Sequence, residues 1–158
     1  MKKIVSLLIA VILISSAGFA QKLSSGKVPA PVKKAFKNDF PKNSKAVWEM
    51  DSLNYEVNFL INEIKNSATY DKDGKWLEKE TTITIGQIPK DIRASIAKNF
   101  PGFHANEAEK VETNGKDTEY HIGIYKGKEK YEVRFSLKGD VIKKEVKAAE
   151  PPAGKTKK

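Results

Sequence analysis

The sequence has no cysteine and only two methionines, two tryptophans and two histidines among 158 residues. The absence of cysteine excludes disulfides, thiol catalysis and thiolate metal sites, so packing alone must stabilise the fold. Arginine is also scarce, since Arg93 and Arg134 are the only two. Base-specific readers of nucleic acid rely on arginine. The net charge of +9 is almost all lysine, and it therefore indicates solubility and mild attraction to anionic surfaces, with no nucleic acid as partner.

Long apolar runs are absent except at the N-terminus, where Ile4 to Ile14 follows two lysines. Small residues at Gly18 and Ala20 complete the pattern of a secretory signal peptide. We expect residues 1–20 to be cleaved after Ala20 and the protein to be periplasmic or secreted. A membrane anchor is the alternative, but the run is shorter than the ~20 residues of a membrane span. After cleavage no transmembrane span is expected.

Both ends of the mature chain are predicted to lie outside the folded repeats. Residues 21–27 are predicted to be a linker. Residues 148–158 are polar, basic and contain proline and glycine, which predicts a disordered tail. A polybasic contact with an anionic envelope surface is the alternative interpretation of this tail.

One pattern occurs twice, as VPAPVKKAFKNDFP (28–41) and as IPKDIRASIAKNFP (88–101). Apolar residues recur at every fourth position, which places them along one stripe of a helix. Each stretch has a proline near its start, where a helix needs no backbone donor, and ends in Phe-Pro, which disfavours further helix. Two amphipathic helices of about three turns are predicted, with apolar stripes Val28, Val32, Phe36, Phe40 and Ile88, Ile92, Ile96, Phe100.

Alternating apolar and polar residues follow each helix, as in NYEVNFLI (54–61) and KYEVRFSL (130–137). This alternation is typical of half-buried antiparallel strands, and pairs such as Asp73-Gly74 and Lys138-Gly139 predict turns between them. The predicted strands lie near 45–50, 54–61, 64–71, 75–85, 107–113, 118–125, 129–136 and 140–147.

The predicted fold class is α+β, a tandem repeat of one helix plus a four-stranded antiparallel sheet. The first repeat covers 28–87 and the second covers 88–147. A single helix on a small sheet leaves apolar surface bare, so two units side by side are expected to share one core. The result would be a sheet of about eight strands with two helices on one face and the other face open to water.

A set of residues spread from about 28 to 147 resembles a known family. The residues are Val28-Pro29, Phe36, Phe40-Pro41, Trp48-Glu49, Tyr55-Glu56-Val57, Tyr70-Asp71, Gly74, Trp76, Glu78, Ile88-Pro89 and Phe100-Pro101-Gly102. They resemble the PepSY-like, beta-lactamase-inhibitor-like family of small exported bacterial proteins. The resemblance implies a tandem helix-plus-sheet fold without enzymatic activity. In the related inhibitor the concave sheet face clasps a partner protein, and related PepSY domains occur in protease propeptides. The second repeat departs from the first, with Val111 roughly where Trp48 would stand and Val141 where Trp76 would stand.

Motifs for catalysis or metal binding are scarce. His104 and His121 each lack a second histidine at ligand spacing. Asp71 to Gly74 looks superficially like a calcium loop, but Lys75 occupies the position of a further ligand, so a hairpin turn is predicted. No glycine-rich phosphate loop precedes a helix. A Ser-His-Asp site built from distant residues stays open, but we expect no enzyme, no cofactor and no metal.

Glu78 and Glu80 form a carboxylate pair in a predicted strand that could serve acid–base chemistry. We interpret them as part of a solvated strand face, because no apolar neighbour in the pattern would shift a pKa. Strict alternation from Leu77 directs Trp76 outward onto the same face, and a bulge or edge position that buries both tryptophans is the alternative. For Trp48 the alternation does not decide between burial and exposure. Exposed tryptophans often anchor protein interfaces.

These observations lead to a non-catalytic binding module of the cell envelope that holds a protein or peptide partner on the open face of its sheet. An inhibitor of a secreted or periplasmic hydrolase and a small-ligand-binding protein are the alternatives. The oligomeric state does not follow from the sequence. The candidate contact residues are Trp48, Glu56, Asn58, Trp76, Glu78, Glu80, His121, Tyr125, Glu132 and Arg134.

Overall fold

The computed structural model describes residues 21–147. The predicted signal peptide and basic tail lie outside the described residues. A short strand is followed twice by the sequence 3-10 turn, helix and four strands. The elements are β1 (Gln21–Leu23), α1 (Ala30–Asp39), β2 (Ser44–Asp51), β3 (Asn54–Ile61), β4 (Ile64–Tyr70), β5 (Trp76–Thr82), α2 (Lys90–Asn99), β6 (His104–Thr113), β7 (Glu119–Lys126), β8 (Glu129–Ser136) and β9 (Val141–Val146).

The two helices begin and end where the proline pattern predicts. Pro29 and Pro89 occupy the N-cap positions in extended geometry. At the other end, Phe40 donates its backbone N–H to the carbonyl of Phe36 at 2.9 Å, and the chain then leaves helical geometry before Pro41. The apolar stripe of each helix is turned inward, as the burial of Val32 and Ile92 at 0% exposure demonstrates.

The strands form one nine-stranded sheet whose spatial order is the chain order, β1 to β9, and every neighbouring pair is antiparallel. The predicted α+β class with an antiparallel sheet is confirmed. Each predicted strand is present, although β6 begins three residues earlier than expected and β5 ends at Thr82. The ninth strand is β1, which comes from residues predicted to be a linker and pairs with β2.

Two glycines allow hairpins to approach the helices closely. A Cβ on Gly74, in the β4–β5 turn, would lie 2.7 Å from the carbonyl oxygen of Pro31 in α1. A Cβ on Gly139, in the β8–β9 turn, would lie 2.6 Å from the carbonyl oxygen of Asp91 in α2. Both glycines have positive φ, which side chains disfavour. Each hairpin therefore packs directly on the first turn of the helix that precedes it in the chain.

The apolar side chains form two clusters, and the expectation of one shared core is wrong. One cluster surrounds α1 with Phe36 and Phe59 at its centre, and the other surrounds α2 with Ile92 and Phe135. Charged residues separate them on the helix side of the sheet, where Lys110 of β6 pairs with Glu112 at 2.9 Å. A ten-residue helix is about 15 Å long, whereas nine strands span about 40 Å, so neither helix reaches across the seam.

Trp48 is buried, with 6% of its surface exposed. Its ring meets the ring of Phe36 edge-on at a centroid distance of 5.3 Å. A register shift between Ser44 and Val47 precedes it in β2, and Val47 faces outward at 45% exposure. Trp48 is thus a core residue and leaves the set of candidate contacts.

Trp76 also faces the helices, so its predicted outward direction is wrong. It lies opposite the buried Tyr70 and packs against the α1 cluster. The cause is a register shift in which Thr69 pairs with Glu78 while Tyr70 pairs with Trp76, leaving Leu77 as an additional residue. A bulge of this kind turns every residue beyond it to the other face.

Candidate protein-binding face

The sheet surface opposite the helices is called the open face. Cross-strand pairing places its residues in rows that run across the strands. The first row contains Glu56, Thr69, Glu78 and Thr113, and the second contains Asn58, Ser67, Glu80, Val111 and Glu119. The third row contains Thr82, Glu109, His121 and Arg134. The fourth row contains Glu107, Gly123 and Glu132. Tyr125 follows beyond them, opposite His104. All the sequence-predicted contacts except the two tryptophans therefore share this face.

Glu80 is the central carboxylate of the open face. Burial is the main cause that raises its pKa to about 7, and the nearby charges of Glu109 and Glu78 raise it further. Its neighbour across the β5–β6 pair is Val111, which is 2% exposed and withholds water from it. One stabilising contact opposes these effects, because the Ser67 hydroxyl donates to Oε2 of Glu80 at 3.2 Å.

The interpretation of Glu78 and Glu80 as part of a solvated strand face without an apolar neighbour is therefore wrong, since both are half-buried and Val111 lies beside Glu80. The residue pattern of β5 alone could not reveal this neighbour, because Val111 belongs to β6. The sequence pattern also missed Glu109, which β6 brings to the same spot from another part of the chain. Its only signal in the sequence is an acidic residue at alternating positions of a strand, which is common on solvated faces.

Hydroxyl and amide groups hold the neighbouring carboxylates. Thr113 donates its Oγ1 hydroxyl to Oε2 of Glu78 at 2.8 Å. The side-chain amide of Asn58 donates to Glu56 at 3.3 Å. Burial raises the pKa of Glu56, and the charge of Glu49 beside it raises that pKa as well. These contacts orient the carboxylates without neutralising them.

Basic groups occupy the β7–β8 side of the same surface. His121 and Arg134 lie opposite each other, and Nε2 of His121 is 3.6 Å from Oε2 of Glu119. Within residues 21–147, Nε2 of His121 and Nε of Arg134 are both buried without a hydrogen-bond partner. The open face thus has an acidic side and a smaller basic side.

A depression of about 340 Å³ separates the two sides. Its lining is almost entirely polar: Glu78, Glu80, Glu109, Val111, Thr113, Lys116, Glu119, His121, Glu132 and Arg134. A smaller depression of about 120 Å³ adjoins it. Glu80 and Glu109 line both. Such a surface can receive charged or hydrogen-bonding groups of a ligand, and it offers little apolar contact.

Metal-ligating side chains are not grouped together in the part of the chain that the structure describes. It contains no group of three or more histidine, aspartate or glutamate side chains that could hold a metal ion. Asp71 is committed to the β4–β5 turn, because its Oδ1 accepts the backbone N–H groups of Asp73 and Lys75 at 2.9 Å each. Neither helix within 21–147 is long and apolar enough to cross a membrane.

Comparison with protein families gives one match. The sequence pattern of the family described as "Putative beta-lactamase-inhibitor-like, PepSY-like" matches residues 18–64 and 53–143. The two segments together cover well over half of the chain. Among curated proteins none matches.

Several solved structures share the fold. A DUF2874 family protein from Bacteroides uniformis is 20% identical, with a TM-score of 0.71 over 75% of this chain and 88% of that one. A protein from Bacteroides eggerthii, described as one of the "putative periplasmic proteins", is 22% identical with the same TM-score and coverage. A BLIP-like protein from Bacteroides fragilis is 17% identical, with a TM-score of 0.67 over 80% of this chain and 92% of that one.

Proposed function

Because the chain belongs to the family described as "Putative beta-lactamase-inhibitor-like, PepSY-like", we propose that it is an exported, non-catalytic binding module of the cell envelope. Its open face holds a protein or peptide partner. The signal-peptide pattern of residues 1–20 supports export. The description of the Bacteroides eggerthii structure as periplasmic is in keeping with it.

We also propose that the module is a doubled unit of one helix and four strands. The start of α2 follows that of α1 by 60 residues, and the start of β7 follows that of β3 by 65, so the added residues lie in the β6–β7 hairpin. Gly74 and Gly139 make the same close approach to the first turn of the preceding helix. Each helix has its own apolar cluster. The second unit extends the sheet and gives the partner a wider surface.

The single observation that carries the binding function is the shared open face. Polar candidates from four different strands, β3, β5, β7 and β8, line up in cross-strand rows on the side of the sheet that the helices do not cover. The depression at its centre lies within this face. Its carboxylates would repel a phosphate backbone, which favours protein over nucleic acid as the partner.

Photo-crosslinking in the producing bacterium tests this function. A photoreactive residue at Asn58 or Tyr125, both exposed on the open face, should capture a discrete protein. The matched control is the same residue at Lys34, which is exposed on α1. Capture from Lys34 but not from the open face, or from none of the three, would contradict the proposal.

Inhibition of a secreted hydrolase is a second candidate function. The family description and the BLIP-like structure from Bacteroides fragilis favour it. Assaying the purified protein against a panel of secreted hydrolases, beta-lactamases included, tests it, and unchanged activity of all of them would reject it. Binding of a small ligand between helix and sheet has less support, because Phe36, Phe40 and Phe59 fill that space with ring centroids 4.7 to 5.8 Å apart.

A further inference from the structure

Negative charge is concentrated at the centre of the open face, although the whole chain carries a net charge of +9. Five glutamates line the central depression, against one lysine, one arginine and one histidine. Positive charge lies mainly elsewhere, for example at Lys33, Lys34 and Lys37 on α1. A surface that differs in sign from the molecule around it selects partners by charge.

Within residues 21–147, none of Glu78, Glu80 and Glu109 has a lysine or arginine nitrogen within salt-bridge distance. Glu80 and Glu78 instead accept hydrogen bonds from the hydroxyl groups of Ser67 and Thr113. By contrast, Glu112 on the helix side of β6 is paired with two lysines. These three carboxylates are therefore half-buried and have no ion-pair partner at salt-bridge distance, which is an energetically costly arrangement.

The basic side of the depression, by contrast, has donor groups that lack hydrogen-bond acceptors. Nε2 of His121 and Nε of Arg134 are buried without a hydrogen-bond partner among the described residues. Arg134 can only donate there, and so requires an acceptor such as a carbonyl oxygen. A cationic side chain next to a backbone carbonyl would give the carboxylates a cation and Arg134 an acceptor at the same time. An extended peptide segment that carries lysine or arginine has these two groups together.

We propose that the partner of the open face presents a lysine or arginine of an extended segment to the central depression, where its cation lies between Glu78, Glu80 and Glu109. This inference rests on the proposed binding function and adds the chemistry of the partner. The bound cation would favour the charged form of Glu80, whose pKa burial raises to about 7, and would displace its proton. Binding should therefore tighten as the pH rises through about 7 and weaken as salt is added.

Defined peptides test the inference directly with the purified protein. The probes are short synthetic peptides of alternating serine and lysine, serine and glutamate, or serine and glutamine, titrated while backbone amide shifts are recorded by NMR. We expect the lysine peptide alone to shift amides of β5, β6, β7 and β8 around the central depression, with α1 and α2 unaffected. Glu80→Gln and Glu109→Gln should each weaken its binding by about three- to tenfold.

Glu112→Gln is the matched control, because it removes one negative charge from β6 on the opposite side of the sheet. It should leave the affinity for the lysine peptide within error of the parent protein. The inference is overturned if no peptide shifts these amides, if the serine–glutamate or serine–glutamine peptide binds as well, or if Glu112→Gln weakens binding as much as Glu80→Gln. In any of these cases, crosslinking from Asn58 would still decide whether the open face binds a partner.

Discussion

Glu80 of β5 and Val111 of β6 lie directly opposite each other on the open face, so that a carboxylate and a buried isopropyl group are neighbours. The apolar neighbour limits hydration of the carboxylate, and Glu109 and Glu78 add negative charge beside it. The pKa of Glu80 therefore rises to about 7, so that its charge changes near neutral pH. The same pairing makes Glu80 a reporter of anything that occupies the central depression.

Replacing Val111 by threonine should lower the pKa of Glu80 from about 7 towards its ordinary range. The new hydroxyl can donate to the carboxylate and thus favours its charged form. The measurement is a pH titration of the Glu80 side-chain carboxyl carbon by NMR. Val47→Thr is the control, because Val47 lies in the same cross-strand row at its exposed end. An unchanged titration of Glu80 in Val111→Thr would contradict the assigned cause.

Stability should fall as the pH rises from about 4.5 to about 7 because of Glu80. The folded state holds the proton of Glu80 more tightly than the unfolded state does, so unfolding releases protons in this window. Below this pH window Glu80 is protonated in both the folded and the unfolded state, so it does not lower the free energy of unfolding. Above it the cost is complete, and solvent screening of this half-buried group limits it to about 1–2 kcal/mol.

Urea unfolding of the parent protein and of Glu80→Gln measures this cost. The variant should be more stable than the parent at pH 8 by about 1–2 kcal/mol, with the gain vanishing near pH 4. Glu112→Gln, in which a carboxylate paired with Lys110 is lost, should show no such gain. A stability difference between parent and Glu80→Gln that is the same at both pH values would argue against a shifted pKa.

Gly74→Ala and Gly139→Ala should each destabilise the fold by about 2–4 kcal/mol, because the added methyl meets a helix carbonyl in addition to the cost of positive φ. Gly115→Ala is the matched control, since its φ is also positive but nothing lies within 4 Å of the added Cβ. We expect it to cost about 1 kcal/mol. Chemical unfolding gives all three values, and equal losses at the three glycines would rule out the close approach as their cause.

Substitutions in the two apolar clusters should act independently. Val57→Ala, in the α1 cluster, should cost about 2 kcal/mol through lost burial and a small cavity. Ile122→Val, in the α2 cluster, should cost about 1 kcal/mol. In the double variant the two losses in free energy of unfolding should add to within about 0.5 kcal/mol. A larger coupling energy would mean that the clusters form one core across the charged seam of β5 and β6.

Local patterns were enough to place both helices and every strand except β1, which comes from residues predicted to be a linker. The stripes that begin at Val28 and Ile88 define both helices, and the alternation after each helix defines the strands, because these periods depend only on the geometry of one element. The positions of bulges could not be predicted from these patterns. Trp76 faces the helices because β4 and β5 pair with a shift at Tyr70, and a shift arises between two strands and has no mark in either one alone.

By itself, the sequence determined the two amphipathic helices, the antiparallel ribbons between glycine turns and the reliance on packing without disulfides. Each of these follows from residues close together in the chain. Only the tertiary structure decided that Glu80 meets Val111 and Glu109, that both tryptophans face the helices, and that the apolar residues divide into two clusters. The environment of a side chain depends on neighbours that the sheet brings from distant segments, and the pairing of those segments sets both its solvation and its charge.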